Sequence, residues 1–260
     1  MHQGLRNTLL LFGAFAFGYN AAHAIHEVGH VLAMWASGGH VARVVLHPFS
    51  WSKVHYGSPL TCPLFVTWAG AAFAATCGLL LLLAVRRLPG AWTAPIVITG
   101  LCTLFVNGIY LLVDCLFQGG GDATILVRHG TPPAVVFMAG IALLGLGCVV
   151  GYRMLPRIGV TATQGFAARF ALLEGGIGTY LLLMIVYHLS YNRSEAMLWL
   201  TFVGSGLIVL GTVAWGSGVI ARWAPTGVPV AVPQPSWITV VGCLLAGTAV
   251  VMLELLVYHR

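Results

Sequence analysis

Ala22-His23-Ala24-Ile25-His26-Glu27-Val28-Gly29-His30-Val31-Leu32-Ala33-Met34-Trp35 decides how this chain folds and what chemistry it can hold. Its apolar residues prolong a run that starts near residue 8, so the stretch reads as the inner part of a helix crossing a membrane. Within it stands His26-Glu27-Val28-Gly29-His30. Histidines four apart on a helix project from one face, about 40° and roughly 6 Å apart, close enough to grip one metal ion. Glu27 lies on the adjoining strip, where its carboxylate can take a proton from a water in the metal's open position. With ten His and four Glu in 260 residues, roughly one chain in 200 would carry H-E-x-x-H by accident. A charged side chain at the centre of a spanning helix costs on the order of 2.5–3.5 kcal/mol. A compensating partner, a metal ion above all, is therefore expected.

Composition places the rest of the chain around that helix. Hydrophobic residues make up 59% and charged residues 7%, and the mean hydropathy is +0.93, far outside the soluble range. The expected fold is an all-α polytopic membrane protein. The net charge of +6 comes from Arg and Lys scattered through short loops, with no basic run or aromatic-interleaved patch, so nucleic acid is not an expected partner. Cys62, Cys77, Cys102, Cys115, Cys148 and Cys243 form no C-x-x-C pair, which argues against both a disulfide framework and a thiolate metal site. Arg6, an apolar run and Ala22-His23-Ala24 imitate a signal peptide with its cleavage site. Because the apolar pattern continues through Trp35 to Gly38-Gly39, one uncleaved helix is the expectation.

Apolar runs of about 20 residues suggest six to seven spans, at roughly 8–36, 64–85, 92–117, 132–152, 167–191, 196–221 and 236–258. Together they make one membrane-embedded domain over 1–260, with a core at about 8–150 and further helices at about 160–260. The connection at 37–63 is different. Val41-Ala42-Arg43-Val44-Val45-Leu46 and Ser52-Lys53-Val54-His55-Tyr56 flank Pro48-Phe49-Ser50-Trp51, and read as a short hairpin at the membrane surface. Its open edge can hold an unwound substrate by strand addition, or the loop can simply rest on headgroups.

A catalytic zinc ion takes three protein ligands and a water, and only two aspartates are available, Asp114 and Asp122. Asp122 follows Gly119-Gly120-Gly121, a run that breaks a helix and permits close approach to a neighbour. If the first span ends at Gly38, two more crossings bring the chain back to the same face at this glycine run. Asp122 is thus the favoured third ligand. Asp114 remains the alternative ligand, or a carboxylate that orients a histidine from behind.

These motifs resemble the site-2 protease family of intramembrane zinc metallopeptidases, in particular its compact bacterial branch without PDZ domains. The resemblance rests on His26-Glu27-Val28-Gly29-His30 with Val31-Leu32-Ala33 and Gly38-Gly39, and on Gly120-Gly121-Asp122-Ala123 with Gly130-Thr131-Pro132-Pro133. It covers roughly residues 20–150. Asp122-Ala123 stands where better-known members have Asn-Pro-Asp-Gly or Leu-Asp-Gly. The resemblance implies one Zn²⁺ held by His26, His30 and Asp122, with Glu27 as general base. It also implies a transmembrane protein as substrate and a bacterial cytoplasmic membrane, with membrane lipid around the chain.

The remaining polar residues have plainer readings. His23 lies three residues before His26 and serves either as a fourth ligand or as a hydrogen-bonded group behind the site. Asn107 suits a hydrogen bond between helices, or a substrate backbone. Glu174, His188 and Glu254 read as partners of Arg169, His259 and Arg260. Gly29 suits close helix packing or substrate approach. Two other functions fit the same residues: a divalent-metal transporter, which calls for several polar helices or a repeat, and an inactive protease-like protein that binds a membrane partner.

Overall fold

The computed structural model describes residues 2–49, 52–87, 93–158, 166, 173–191 and 236–258. Helix α1 runs from His2 to Ala36, followed by strands β1, Val41–Val45, and β2, Lys53–Tyr56. Then come α2, Pro63–Ala84; α3, Thr93–Phe117; a short α4, Asp122–Arg128; and α5, Pro133–Met154. A π-helical turn, Glu174–Gly178, leads into α6, Thr179–Tyr191, and α7 spans Trp237–Tyr258. Five of these helices are long and apolar enough to cross a membrane, beginning at Leu5, Pro63, Thr93, Pro133 and Trp237. The expected span at 196–221 lies outside the described residues, as does the start of the one at 167–191.

Glycines set the helix crossings. Lipid tails are as apolar as leucine, so helices in a membrane gain by letting backbones approach and packing side chains around the contact. A Cβ on Gly78 of α2 would stand 2.9 Å from the Gly100 carbonyl oxygen of α3, and one on Gly100 would stand 2.9 Å from that of Gly78. Gly108 of α3 and Gly140 of α5 are reciprocal in the same way, at 3.0 Å each. Gly13 of α1 meets Cys243 and Gly247 of α7. These contacts also fix direction. Gly18 lies against Thr99 and His26 against Asn107, so α1 and α3 run parallel, with α2 and α5 opposed to them. The Asp122 turn therefore returns to the end of α1 that carries the histidines. Leu11, Tyr19, Val97, Leu104 and Met184 are fully or almost fully buried where α1, α3 and α6 meet.

The hairpin is antiparallel, with Val44 opposite Val54 and Val45 opposite Lys53, and an irregularity between Val41 and Arg43. The turn lies back along α1, where Ser52 Oγ is 3.5 Å from His23 Nδ1 and Pro48 O meets Tyr180, itself bonded to Asn20. That is about 20 Å from the end of α1 by helical rise.

Candidate metal centre

Three side chains from two separate elements converge. His26 Nε2 lies 2.9 Å and His30 Nε2 3.2 Å from Asp122 Oδ2, and the two Nε2 atoms are 3.0 Å apart. Ligand atoms around one tetrahedral zinc ion are separated by about 3.3 Å, given bonds near 2.0–2.1 Å. Among the described residues this is the only group of three or more His, Cys, Asp or Glu side chains so assembled. All three are sheltered, with the histidines buried and Asp122 partly so.

The far sides of the imidazoles decide what the near sides can do. His26 Nδ1 lies 2.5 Å from Asn107 Oδ1, and His30 Nδ1 lies 2.8 Å from the carbonyl oxygen of Val66. The Asn107 amide is oriented by its own bond, Nδ2 donating to Thr103 O at 2.6 Å. Both Nδ1 atoms thus face oxygens that can only accept, so each carries the proton and donates it. Each Nε2 is left with a lone pair. Two lone pairs and a carboxylate oxygen within about 3 Å repel one another unless a cation lies among them, and Nδ1 bonds of this kind recur behind metal-bound histidines. The donor set therefore fits one divalent ion.

Asp114 has a different job. Its carboxylate accepts from Gly121 N at 3.0 Å, Thr124 N at 2.8 Å and Thr124 Oγ1 at 3.0 Å. It occupies the N-terminal end of α4, where backbone N–H groups lack partners inside the helix. Gly120, at φ 87°, takes the left-handed conformation that glycine tolerates. Tyr110 completes the turn, its hydroxyl accepting from Asp122 N at 3.2 Å. A Cβ on Gly121 would run into that same hydroxyl. Asp114 therefore holds the turn that presents Asp122.

Glu27 is buried and lines a cavity of about 350 Å³ together with His23, His26, His30, Asp122 and Tyr56. Residues 52–56 form one wall and 119–122 another. His23 lines the same cavity but bonds toward Ser52 and does not join the ligand triangle. Gly29 is packed against α2, where a Cβ would stand 2.5 Å from Ala69 O. His188 proves to be bound to the hairpin, with Nε2 2.7 Å from Phe49 O. Arg169, His259 and Arg260, the partners expected for it from sequence, lie outside the described residues.

The sequence reading missed Val66, Gly70 and Tyr110. Val66 acts through a carbonyl, which no residue type announces. Gly70, in Ala69-Gly70-Ala71, lies directly against the imidazoles: a Cβ there would be 2.5 Å from His30 Nε2 and 2.8 Å from His26 Nε2. A run of small residues was the available signal. In comparisons with known proteins, the chain matches no family model, no curated protein and no solved structure.

Proposed function

We propose that the chain is a zinc-dependent intramembrane endopeptidase of the site-2 protease type, cleaving membrane-protein substrates in the bacterial cytoplasmic membrane. The observation that carries this reading is the pairing of a metal-ready triangle, His26, His30 and Asp122, with Glu27 on the wall of the same cavity. His26, His30 and Asp122 would hold a zinc ion, which when bound would supply Lewis-acid polarisation of a carbonyl and a water. Asn107 and Val66 keep the two imidazoles in the tautomer that ligation requires. Glu27 takes the proton of the attacking water and delivers it to the leaving amine, the role of a general base that becomes a general acid. A helical substrate shields its own amides, so it must unwind before attack. Among the described residues the hairpin has two strands only, which leaves β2 an edge beside the cavity for an extended segment.

Purified protein with a tagged transmembrane substrate tests this. Wild type should cleave in a zinc-dependent manner, and Glu27→Gln should keep its metal while losing at least about 100-fold in rate. Undiminished cleavage by Glu27→Gln would remove the assigned base and the mechanism with it. Zinc-loaded wild type that transports the ion across vesicles, and cleaves nothing, would favour the transporter.

A further inference from the structure

His47 and Pro48 are buried and Phe49 is partly so, so the backbone groups of this hairpin turn need partners inside the protein. Side chains meet those groups. The Tyr180 hydroxyl donates to Pro48 O at 2.7 Å, and His188 Nε2–H donates to Phe49 O at 2.7 Å. Phe49 N–H donates to His47 Nδ1 at 3.1 Å. With Nδ1 accepting, the proton of His47 is on Nε2, which donates to the Tyr187 hydroxyl at 2.9 Å. Pro48 has no N–H to satisfy. Asn20 Nδ2 donates to the Tyr180 hydroxyl at 3.0 Å and so aims that hydroxyl's own proton at Pro48.

Tyr180, Tyr187 and His188 are seven and eight residues apart, on one face of α6. The π-helical turn Glu174–Gly178 directly precedes them. One extra residue in a helical turn rotates everything after it by about 100°, so this turn sets which face of α6 meets the hairpin. At the hairpin's other side, residues 52–56 wall the cavity opposite 119–122. His47 N–H donates to Ser52 Oγ at 3.4 Å, so movement of the turn would be passed to the β2 side of the hairpin.

We propose that Tyr180 and His188 are positioning residues that, by holding Pro48 O and Phe49 O, fix the edge of β2 over the His26–His30–Asp122 cluster and so seat an extended substrate. The seating rests on the proteolytic reading above; the anchoring of the hairpin does not. Helix α6, which contributes no atom to the ligand triangle, would then govern substrate affinity.

Two readouts on the full chain in lipid nanodiscs separate these parts. The first is amide hydrogen exchange over residues 41–56, in wild type, Tyr180→Phe, His188→Ala and His188→Gln, the last retaining an N–H donor. Loss of one anchoring bond should speed exchange there about twofold to tenfold, with exchange in α3 unchanged and His188→Gln close to wild type. The second is cleavage kinetics at full zinc occupancy. KM should rise by about the same factor in Tyr180→Phe and His188→Ala, with kcat nearly held. Unchanged exchange in both Tyr180→Phe and His188→Ala overturns the anchor, whatever the kinetics. Faster exchange with unchanged KM, or with zinc lost, overturns the seating role. If wild type shows a protected hairpin but cleaves nothing, the proteolytic reading and the seating role fall together, and the exchange result alone decides the anchor.

Discussion

Gly70→Ala should weaken metal binding without replacing a ligand. The added methyl would stand 2.5 Å from His30 Cε1 and Nε2, and 2.8 Å from His26 Nε2. Carbon contacts are comfortable at about 3.5 Å or more, so the rings must retreat by roughly 1 Å. That is about a third of the 2.9–3.2 Å edges of the ligand triangle. Neither ring can move freely, since His26 is held by Asn107 and His30 by Val66. Helix α2 cannot retreat instead without losing its close contact at Gly29. Breaking the support behind a ligand usually lowers metal affinity about 10–100-fold, and a loss in that range is expected. Zinc stoichiometry by mass spectrometry, titrated against a chelator of known affinity, measures it. Gly145→Ala is the matched control, because nothing lies within 4 Å of its added methyl and alanine is the better helix former by about 1 kcal/mol. Wild-type zinc affinity in Gly70→Ala would refute the reasoning, by showing that the histidines are not confined as described.

Asp122→Ala should abolish stoichiometric zinc binding, whereas Asp114→Asn should weaken it about tenfold, since it turns one acceptor of the α4 turn into a donor facing N–H groups; the same chelator titration ranks them. Asn107→Leu removes the acceptor behind His26 and should lower zinc affinity about 10–100-fold, with little change in the α1–α3 packing read by thermal unfolding. Gly108→Leu forces apart the crossing with Gly140 and should destabilise the bundle by about 1–3 kcal/mol, seen as a lower midpoint of unfolding in detergent.

The sequence displayed the parts of this site that depend on spacing along one helix. His26 and His30 share a face because they are four apart, and that periodicity needs no tertiary knowledge. Asp122 was within reach of the same kind of argument, since a glycine run stops a helix and the count of crossings returns it to the correct end. What stayed hidden depends on which helix lies beside which. The carbonyl of Val66 and the missing side chain of Gly70 matter only because α2 crosses α1 at the histidines. The bond from His188 to Phe49 O was hidden for a related reason: that partner is backbone, 139 residues away in the chain.

The two parallel helices and the opposed α2 place the metal centre across three sliding contacts rather than within one rigid element. Histidines ride on α1, their supports on α2 and α3, and the carboxylate on a turn that follows α3. A slip of one residue between α1 and either neighbour is about 1.5 Å, half of the 2.9 Å that separates His26 from Asp122. An ion held by these three groups would therefore work as a vernier for helix register. Whatever shears the bundle, a change of bilayer thickness or a substrate wedging beside α1, would be read at the centre as a change in grip on the ion.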